Sequence, residues 1–369
     1  MLGVAIVGAG IIGVGEHLPA WASCEDAEIR WVVDSDAARA SAAARKYSGV
    51  RWSTSLEDPL NDTSVDVVDI CIPAVQHSSA VVAALAAEKH VLVEKPAALS
   101  FADIKLMIAA DHNARLKLAV AENWNFIPAI REAGVIVASG ALGSLTMGVV
   151  PHENDGRLRR QLGAGVGDRD RIGFLLAAGI HSVAAFEALA GSLVSVQAVG
   201  DLGQRSEVGL PMENELVAIG ASESGTVAAF TFSGVARYSD GPRFGIRLLG
   251  TKQSAVVDVS RGEVTVYNSA AQPSVRLCGT SMGFREEVRA FASCIRDDGP
   301  VEMTLRRHLR TMLSIVAMYR ACNLGRSVNV SDVVEAFDRG EEVEDVIWVG
   351  QNEPASGRAG GRMHRQGKS

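Results

Sequence analysis

The sequence predicts a doubly wound parallel α/β sheet at the start of the chain and an α+β domain after it. Three observations predict this. As far as Ala121, short runs of β-forming residues alternate with helical patterns, which calls for parallel strands joined by crossover helices. The first run leads straight into a glycine-rich turn and a helix. From Leu145 onward the β runs follow one another across short turns, which implies mainly antiparallel pairing. At 369 residues the chain is too long for one ordinary core, so two domains are expected, residues 1–123 and 124–335, with 351–369 as a tail.

Val4–Val7 is the first expected strand, and Gly8-Ala9-Gly10-Ile11-Ile12-Gly13 follows it at once. This G-x-G-x-x-G allows a tight turn, a close approach of pyrophosphate to the backbone, and a helix packed hard on the sheet. The helix N-terminus offers unpaired amides to the phosphates. The second strand, 29–33, ends in Asp34, about twenty residues past the glycines. A carboxylate there takes the ribose hydroxyls of NAD and repels the extra phosphate of NADP, and Ser35 follows where an arginine would suit NADP. Asp34 can equally be the N-cap of a helix over 36–47. Glycines and acid together make this a Rossmann-like dinucleotide site, with NAD preferred and NADP the alternative.

Residues 56–60 read as a short helix or turn, 65–72 as a strand stopped by Pro73, 77–88 as an alanine-rich helix, and 90–93 as the next strand. Ser100-Phe101-Ala102-Asp103 is a capping box that opens a helix to Asn113, and 116–121 makes one more strand. Pro73 and His77 fall at a strand end where the nicotinamide ribose would lie; a buried structural histidine is the other reading. Val91-Leu92-Val93-Glu94-Lys95-Pro96 carries the most chemistry. An apolar strand stops at an acid and a lysine on its carboxyl end, where open parallel sheets bind ligands. The proline keeps Lys95 extended. Alone, Glu94-Lys95-Pro96 reads as a strand-end salt bridge and a turn; behind a dinucleotide fingerprint it reads as the edge of a site.

Further strands fit 145–150, 194–199, 216–221, 226–233, 244–250, 254–259 and 264–267, and helical spacing covers 284–296 and 305–322. The glycine- and arginine-rich end, 351–369, holds too little apolar surface to fold and is expected to be disordered. Composition, 47% hydrophobic and 21% charged, is that of a soluble globular protein. A net charge of -7 gives no reason to expect nucleic acid. Cys24, Cys71, Cys278, Cys294 and Cys322 are scattered, so neither a metal site nor a disulfide frame is expected, and a reducing, cytoplasmic setting is. The N-terminus lacks the basic leader of a signal peptide, and no apolar run suggests a membrane span.

At this point the residues resemble the Gfo/Idh/MocA family, named for glucose–fructose oxidoreductase, inositol dehydrogenase and rhizopine catabolism. The likeness runs through Gly8–Gly13, Asp34, Pro73-x-x-x-His77, Lys89 to Pro96, Glu122-Asn123-Trp124-Asn125-Phe126-Ile127-Pro128, and Ser139-Gly140-Ala141-Leu142-Gly143, covering residues 1 to about 330. Members are mostly NAD(P)-dependent dehydrogenases of sugars, cyclitols and sugar derivatives. The resemblance implies that the second domain is a large open antiparallel sheet, which floors the active site on one face and builds homodimers or homotetramers with the other. It also implies a catalytic or orienting role for Lys95 within a lysine–aspartate–histidine trio.

Here the sequence departs from the family. The usual Asp-x-Gly-x-His run reads Ala177-Ala178-Gly179-Ile180-His181, so the histidine is kept and the aspartate is lost. His181 is the acid/base candidate because an imidazole titrates near neutrality; a helix histidine bonded into the core is the bland alternative. Asn125 stands where many members carry a basic residue. Asn123, Asn125, His152, Arg169 and Arg171 are candidate groups for a polyhydroxylated or anionic substrate, the arginines coming from the loop 157–171. That loop can equally be solvated surface. Arg237, Tyr238 and Arg243 are weaker candidates on later connections. The expected reaction is hydride transfer between NAD(P) and a secondary alcohol or ketone, with Lys95 and His181 at the reacting oxygen. The rivals are a net non-redox reaction through transient oxidation by retained NAD, and a catalytically silent dinucleotide sensor.

Overall fold

The computed structural model describes residues 1–111, 115–154, 172–206, 208–236, 243–269 and 272–348, the Arg243 side chain excepted. Arg169 and Arg171 with the rest of their loop, Arg237, Tyr238, Asn113 and the tail lie outside the described residues.

β1 (Leu2–Val7), β2 (Ala27–Val33), β3 (Arg51–Ser53), β4 (Val67–Ile70), β5 (His90–Glu94) and β6 (Leu118–Ala121) form a six-stranded sheet in the order β3-β2-β1-β4-β5-β6. Every neighbouring pair is parallel. Its central strands are almost wholly apolar because helices cover both faces. On one face Val4, Ile6, Val67, Leu92 and Ala119 pack with Leu18, Trp21 and Phe291; on the other, Ala5, Val7, Val68, Ile70, Val91 and Val93 pack with Val81, Phe101 and Ile104. The covering helices are α1 (Leu18–Ala22), α2 (Ala37–Ala44), α3 (Glu57–Leu60), α4 (His77–Ala86) and α5 (Phe101–Ala110). The chain reverses its direction of winding between β1 and β4, and a ligand crevice forms at the carboxyl ends of strands at such a point. β3 escaped the sequence reading because it is three residues long, two of them exposed.

After α6 (Pro128–Ala138) the chain enters a second sheet, opened by β7 (Leu145–Glu153). A π turn, Leu175–Gly179, then runs into α7 (Ile180–Ala190). β8 (Leu193–Gly200), β9 (Glu215–Ser222), β10 (Val227–Ser233), β11 (Arg243–Gly250), β12 (Ser254–Asp258), β13 (Glu263–Tyr267) and β14 (Ser274–Leu277) follow. β15 (Val328–Asn329) closes the order β14-β13-β12-β11-β7-β10-β9-β8-β15. β7 and β10 run parallel, and the other pairs are antiparallel. That parallel pair is possible because α7, β8 and β9 form a long crossover between its strands.

Two later helices tie this sheet to the first. α8 (Phe284–Arg296) brings Phe291 against the first sheet, and α9 (Leu305–Leu324) lies against α7. Thr311 and Ser314 of α9 each donate to the Glu187 carboxylate of α7 at 2.7 Å. Just before α9, Val120 N–H donates to Met303 O at 2.9 Å, so the connection covers the β6 edge. The short α10 (Val330–Arg339) and α11 (Val343–Ile347) complete the described chain. No described helix is long and apolar enough to cross a membrane.

Candidate active site

The glycine turn behaves as its spacing demands. Gly8 has φ +111°, and a Cβ there would fall 2.5 Å from Cys71 O. A Cβ at Gly13 would fall 2.0 Å from Gly8 O, so only glycine lets the helix begin this close to the strand. Gly10 differs, for a side chain there would meet no atom within 4 Å. Its backbone faces open space, the approach a pyrophosphate needs. The next turn, Gly13–His17, is a π turn, and it carries His17 down into the protein.

Asp34 does not cap the helix after it. Asp36 does, accepting from Ala38 N–H and Arg39 N–H. Asp34 instead accepts from Ala9 N–H and Asp36 N–H at 2.8 Å each, and from the Arg39 guanidinium at 2.8 Å. Burial pushes its pKa up, but Arg39 and the two amides outweigh burial and hold it below the usual carboxylate range. The acid is therefore a fixed anion beside the glycine turn.

At the carboxyl end of β4 and β5, the two charged residues of Glu94-Lys95-Pro96 part company. Glu94 turns inward. Its Oε1 lies 3.0 Å from His17 Nε2, while His17 Nδ1 lies 2.7 Å from Asp69. Burial works against charge on His17, yet Asp69 prevails and holds its pKa well above the ordinary value. Lys95 turns the other way and donates from Nζ to Ala177 O at 2.7 Å. The strand-end salt bridge expected as the bland reading is thus made by Glu94 with a histidine the sequence did not single out. His77 opens α4 with Nε2 2.7 Å from Ile72 O and Nδ1 3.1 Å from Pro96 O, bracing the ends of both strands.

His181, on the first turn of α7, faces the same strand ends. The β5–β6 register pairs Glu94 with Ala121, which puts the next residues, Lys95 and Glu122, side by side. His181 Nδ1 is 2.5 Å from Glu122 Oε1, and Glu122 is fully buried. The Trp124 indole stacks on His181 at 5.6 Å and on His152 at 5.0 Å, which fixes both ring planes. Burial raises the Glu122 carboxyl to about 7. Burial, then the Lys95 charge, lowers His181 well below its ordinary value, so its imidazole is neutral at pH 7. The four-residue spacing of Ala177 and His181 suggested a common helix face, but the π turn breaks that phase, and it is the Ala177 carbonyl that meets Lys95.

Three candidate substrate residues are described, and all three are engaged in the fold. Asn123 donates to Met282 O at 2.7 Å, and Asn125 directs its amide at Met303 Sδ, 3.0 Å away. His152 is buried on β7, with Nδ1 2.7 Å from Ser182 Oγ. Phe244 and Phe174 pack edge-on against its ring. Burial, then His181, lowers its pKa well below the ordinary value, so it brings no charge to a substrate. All three are buried and hydrogen-bonded within the fold, although Asn125 Oδ1 has no hydrogen-bond partner among the described residues.

A cleft of about 1320 Å³ joins the glycine turn, Asp34 and the end of β5, and neither His181 nor Glu122 is among its lining residues. It runs from Gly8, Gly10, Ile11 and Ile12 past Asp34 and Arg39 to Pro73, His77, Glu94, Lys95 and Ala177. The open face of Gly10 at one end and Lys95 at the other fit a dinucleotide laid along the strand ends. Sequence reasoning missed Glu122, Trp124 and His17 as site residues. The first two stood inside a recognised motif, and only the fold shows which neighbour each one serves.

Comparison with known proteins agrees with the geometry. A family model described as "Oxidoreductase family, NAD-binding Rossmann fold" matches residues 2–122. D-apiose dehydrogenase of Paraburkholderia graminis is 34% identical over 140 residues, 38% of this chain and 37% of that protein. The 4-carboxy-2-hydroxymuconate-6-semialdehyde dehydrogenase of Sphingobium sp. is 26% identical across 82% of this chain and 99% of its own length. Levoglucosan dehydrogenase, solved in complex with NADH and levoglucosan, superposes with a TM-score of 0.78 at 20% identity, covering 89% of this chain and 99% of that one. With the glycine turn, the Glu94-Lys95-Pro96 strand end and the paired sheets in place, residues 2–122 match the NAD-binding domain of the Gfo/Idh/MocA oxidoreductase family, and the chain as a whole shares the fold of solved oxidoreductases.

Proposed function

We propose that the protein transfers a hydride between NAD(P) and a secondary alcohol or ketone of a sugar, cyclitol or sugar derivative. The continuous cleft from the glycine turn to Lys95 carries this reading. Relatives named for apiose, inositol and levoglucosan support the substrate class. Gly8–Gly13 and Asp34 would hold the adenosine and pyrophosphate half of the cofactor, and Pro73 and His77 would border the nicotinamide half. When bound, NAD supplies the hydride acceptor for oxidation and NADH the donor for reduction. The fixed anion at Asp34 disfavours a 2′-phosphate; Arg39 partly offsets it, which leaves NADP as the weaker alternative.

Lys95, anchored on Ala177 O, places an ammonium beside the reacting oxygen, where it stabilises alkoxide character. His181, neutral at pH 7, takes up and returns the hydroxyl proton. The five unpaired cysteines suit a reducing, cytoplasmic setting. The outward face of the second sheet suits a homodimer or homotetramer. The test is a panel of sugars, cyclitols and their oxidised forms, followed by NAD(P)H absorbance. Lys95→Ala and His181→Ala should each lower kcat by roughly 10²–10⁴-fold. Turnover unchanged in both variants overturns the assignment. Asp34→Ser should raise the preference for NADP, and an unchanged NADP/NAD ratio removes Asp34 from cofactor recognition.

A further inference from the structure

We infer that Glu122 takes over the task of the aspartate missing at Ala177: it holds His181 in one tautomer and receives the proton that His181 passes on. This rests on the hydride-transfer reading above. The carboxylate has changed elements. A residue at 177 would sit on the same helical stretch as His181, whereas Glu122 follows β6 in the first sheet, beside Lys95.

The geometry supports a single proton between His181 Nδ1 and Glu122 Oε1, 2.5 Å apart, on a carboxylate with no exposure. Trp124 stacks on the imidazole with only 10° between the planes, which fixes the ring plane, and the Glu122 contact then selects which edge of the ring faces the carboxylate. Glu122 Oε2 is buried and has no hydrogen-bond partner among the described residues, and the side chain is held by His181 with support from the Trp124 amide. Facing Glu122 are His308 of α9, Lys95 and Glu94 at the end of β5, and Glu287 of α8; facing His181 are Lys95, Glu94 and His152. His308 is neutral at pH 7, burial having lowered it to about 4, so Lys95 is the cation that both groups share.

In the oxidative direction the substrate O–H bond breaks and its proton bonds to His181 Nε2. The electron pair stays on the substrate oxygen, opposite the Lys95 ammonium. The Nδ1–H bond then breaks and the proton bonds to Glu122 Oε1, so the imidazole is neutral again with its other nitrogen protonated. Reduction runs the same transfers backwards. Charge balances at each stage: one anion is neutralised on Glu122 while another forms beside Lys95. A triad carboxylate with an ordinary low pKa does not take the proton from its histidine. Burial reverses that order here, raising Glu122 to about 7 while His181 falls well below its ordinary value. Glu122 is thus a positioning residue that also stores the proton.

The experiment uses the full chain as wild type and Glu122→Gln, with His181→Asn for assignment. In the ligand-free protein, ¹⁵N NMR of the ring nitrogens, with His181 assigned by its loss in His181→Asn, should show a Glu122-bonded Nδ1 in wild type and a changed tautomer balance in Glu122→Gln. With substrate, Glu122→Gln should lower kcat by roughly 10²–10⁴-fold, leave KM for NAD unchanged, and remove the ionisation near pH 7 from the kcat/KM profile. A His181 ring spectrum and pH profile unaltered by Glu122→Gln would overturn the inference. If no alcohol or ketone is turned over at all, the hydride-transfer reading fails while the ring-nitrogen spectrum still decides the contact.

Discussion

Glu122 is one of several buried carboxyls, with Glu187 and Glu287, whose pKa burial raises. Glu122 has no exposure and its pKa stands at about 7, against an ordinary value of 4.5. The folded protein therefore holds the proton that the unfolded chain gives up. With a raised folded pKa, the favourable contribution is complete below about pH 4.5 and is lost as pH rises through about 7. The shift corresponds to roughly 3 kcal/mol, since one pKa unit is about 1.4 kcal/mol. Glutamine keeps the shape and cannot ionise. Urea unfolding of Glu122→Gln and wild type at pH 5 and pH 8 should show the variant gaining on wild type by that order as pH rises. Parallel curves for the two proteins would mean that water or a counter-charge reaches Glu122 and that its burial costs little.

Two π turns place the residues that matter, and neither can be read from residue type. Gly13–His17 drops His17 between Asp69 and Glu94, and Leu175–Gly179 turns the Ala177 carbonyl to Lys95 just before His181. Single π turns within α-helices are often found at functional sites. His17→Gln tests the first. It leaves two carboxylates without their cation, and removing one partner of a buried pair costs roughly 3–5 kcal/mol. The His17 pKa is raised, so its contribution is present below about pH 6.5 and persists until pH climbs through the higher folded value. Chemical denaturation at pH 7 should show the loss, and a change under about 1 kcal/mol would show that Trp21, which also donates to Asp69, suffices to hold it. Elements whose apolar period was long, such as α8 and α9, could be read from the sequence almost to the residue. Arg51–Ser53, Ser274–Leu277 and Val328–Asn329 could not, because they are short and carry exposed residues, and pairing to a neighbour makes them strands. The site shows the same division. Gly8–Gly13, Asp34 and Lys95 are legible because local geometry dictates them, whereas the Glu122–His181 contact depends on β5–β6 register and on a helix from beyond the second sheet's first strand.

At the scale of the molecule, the second sheet has two faces with different tasks. Inward residues Phe230 and Phe232 are buried with α7, and Phe186 meets Phe230 edge-on at 5.4 Å, so this face supports the helix that carries His181. The outward face is left with Val194, Val199, Val217, Ile219 and Val227 exposed. The register makes them neighbours. Val199 pairs with Val217, Ile219 with Ala229, and Val227 with Ala221, while Thr231 beside Val217, Gln197 beside Ile219 and Ser195 beside Ala221 add one polar side chain to each row. Several exposed valines and an isoleucine on one sheet face, interleaved with a few polar side chains, suit an association surface. A second copy of the chain is the partner we propose, since a flat sheet face is self-complementary under a two-fold axis. Light scattering should find a dimer or tetramer. Val217→Asp with Ile219→Asp should yield monomer, because an unpaired buried carboxylate at the centre of an interface is not tolerated. Both positions point away from Phe230, so the monomer should keep its NAD affinity within a few-fold. A wild-type monomer, or a variant that still associates, would place the interface elsewhere. A monomer that lost NAD binding would instead show that the outward rows help hold the inner face, and with it α7, in register.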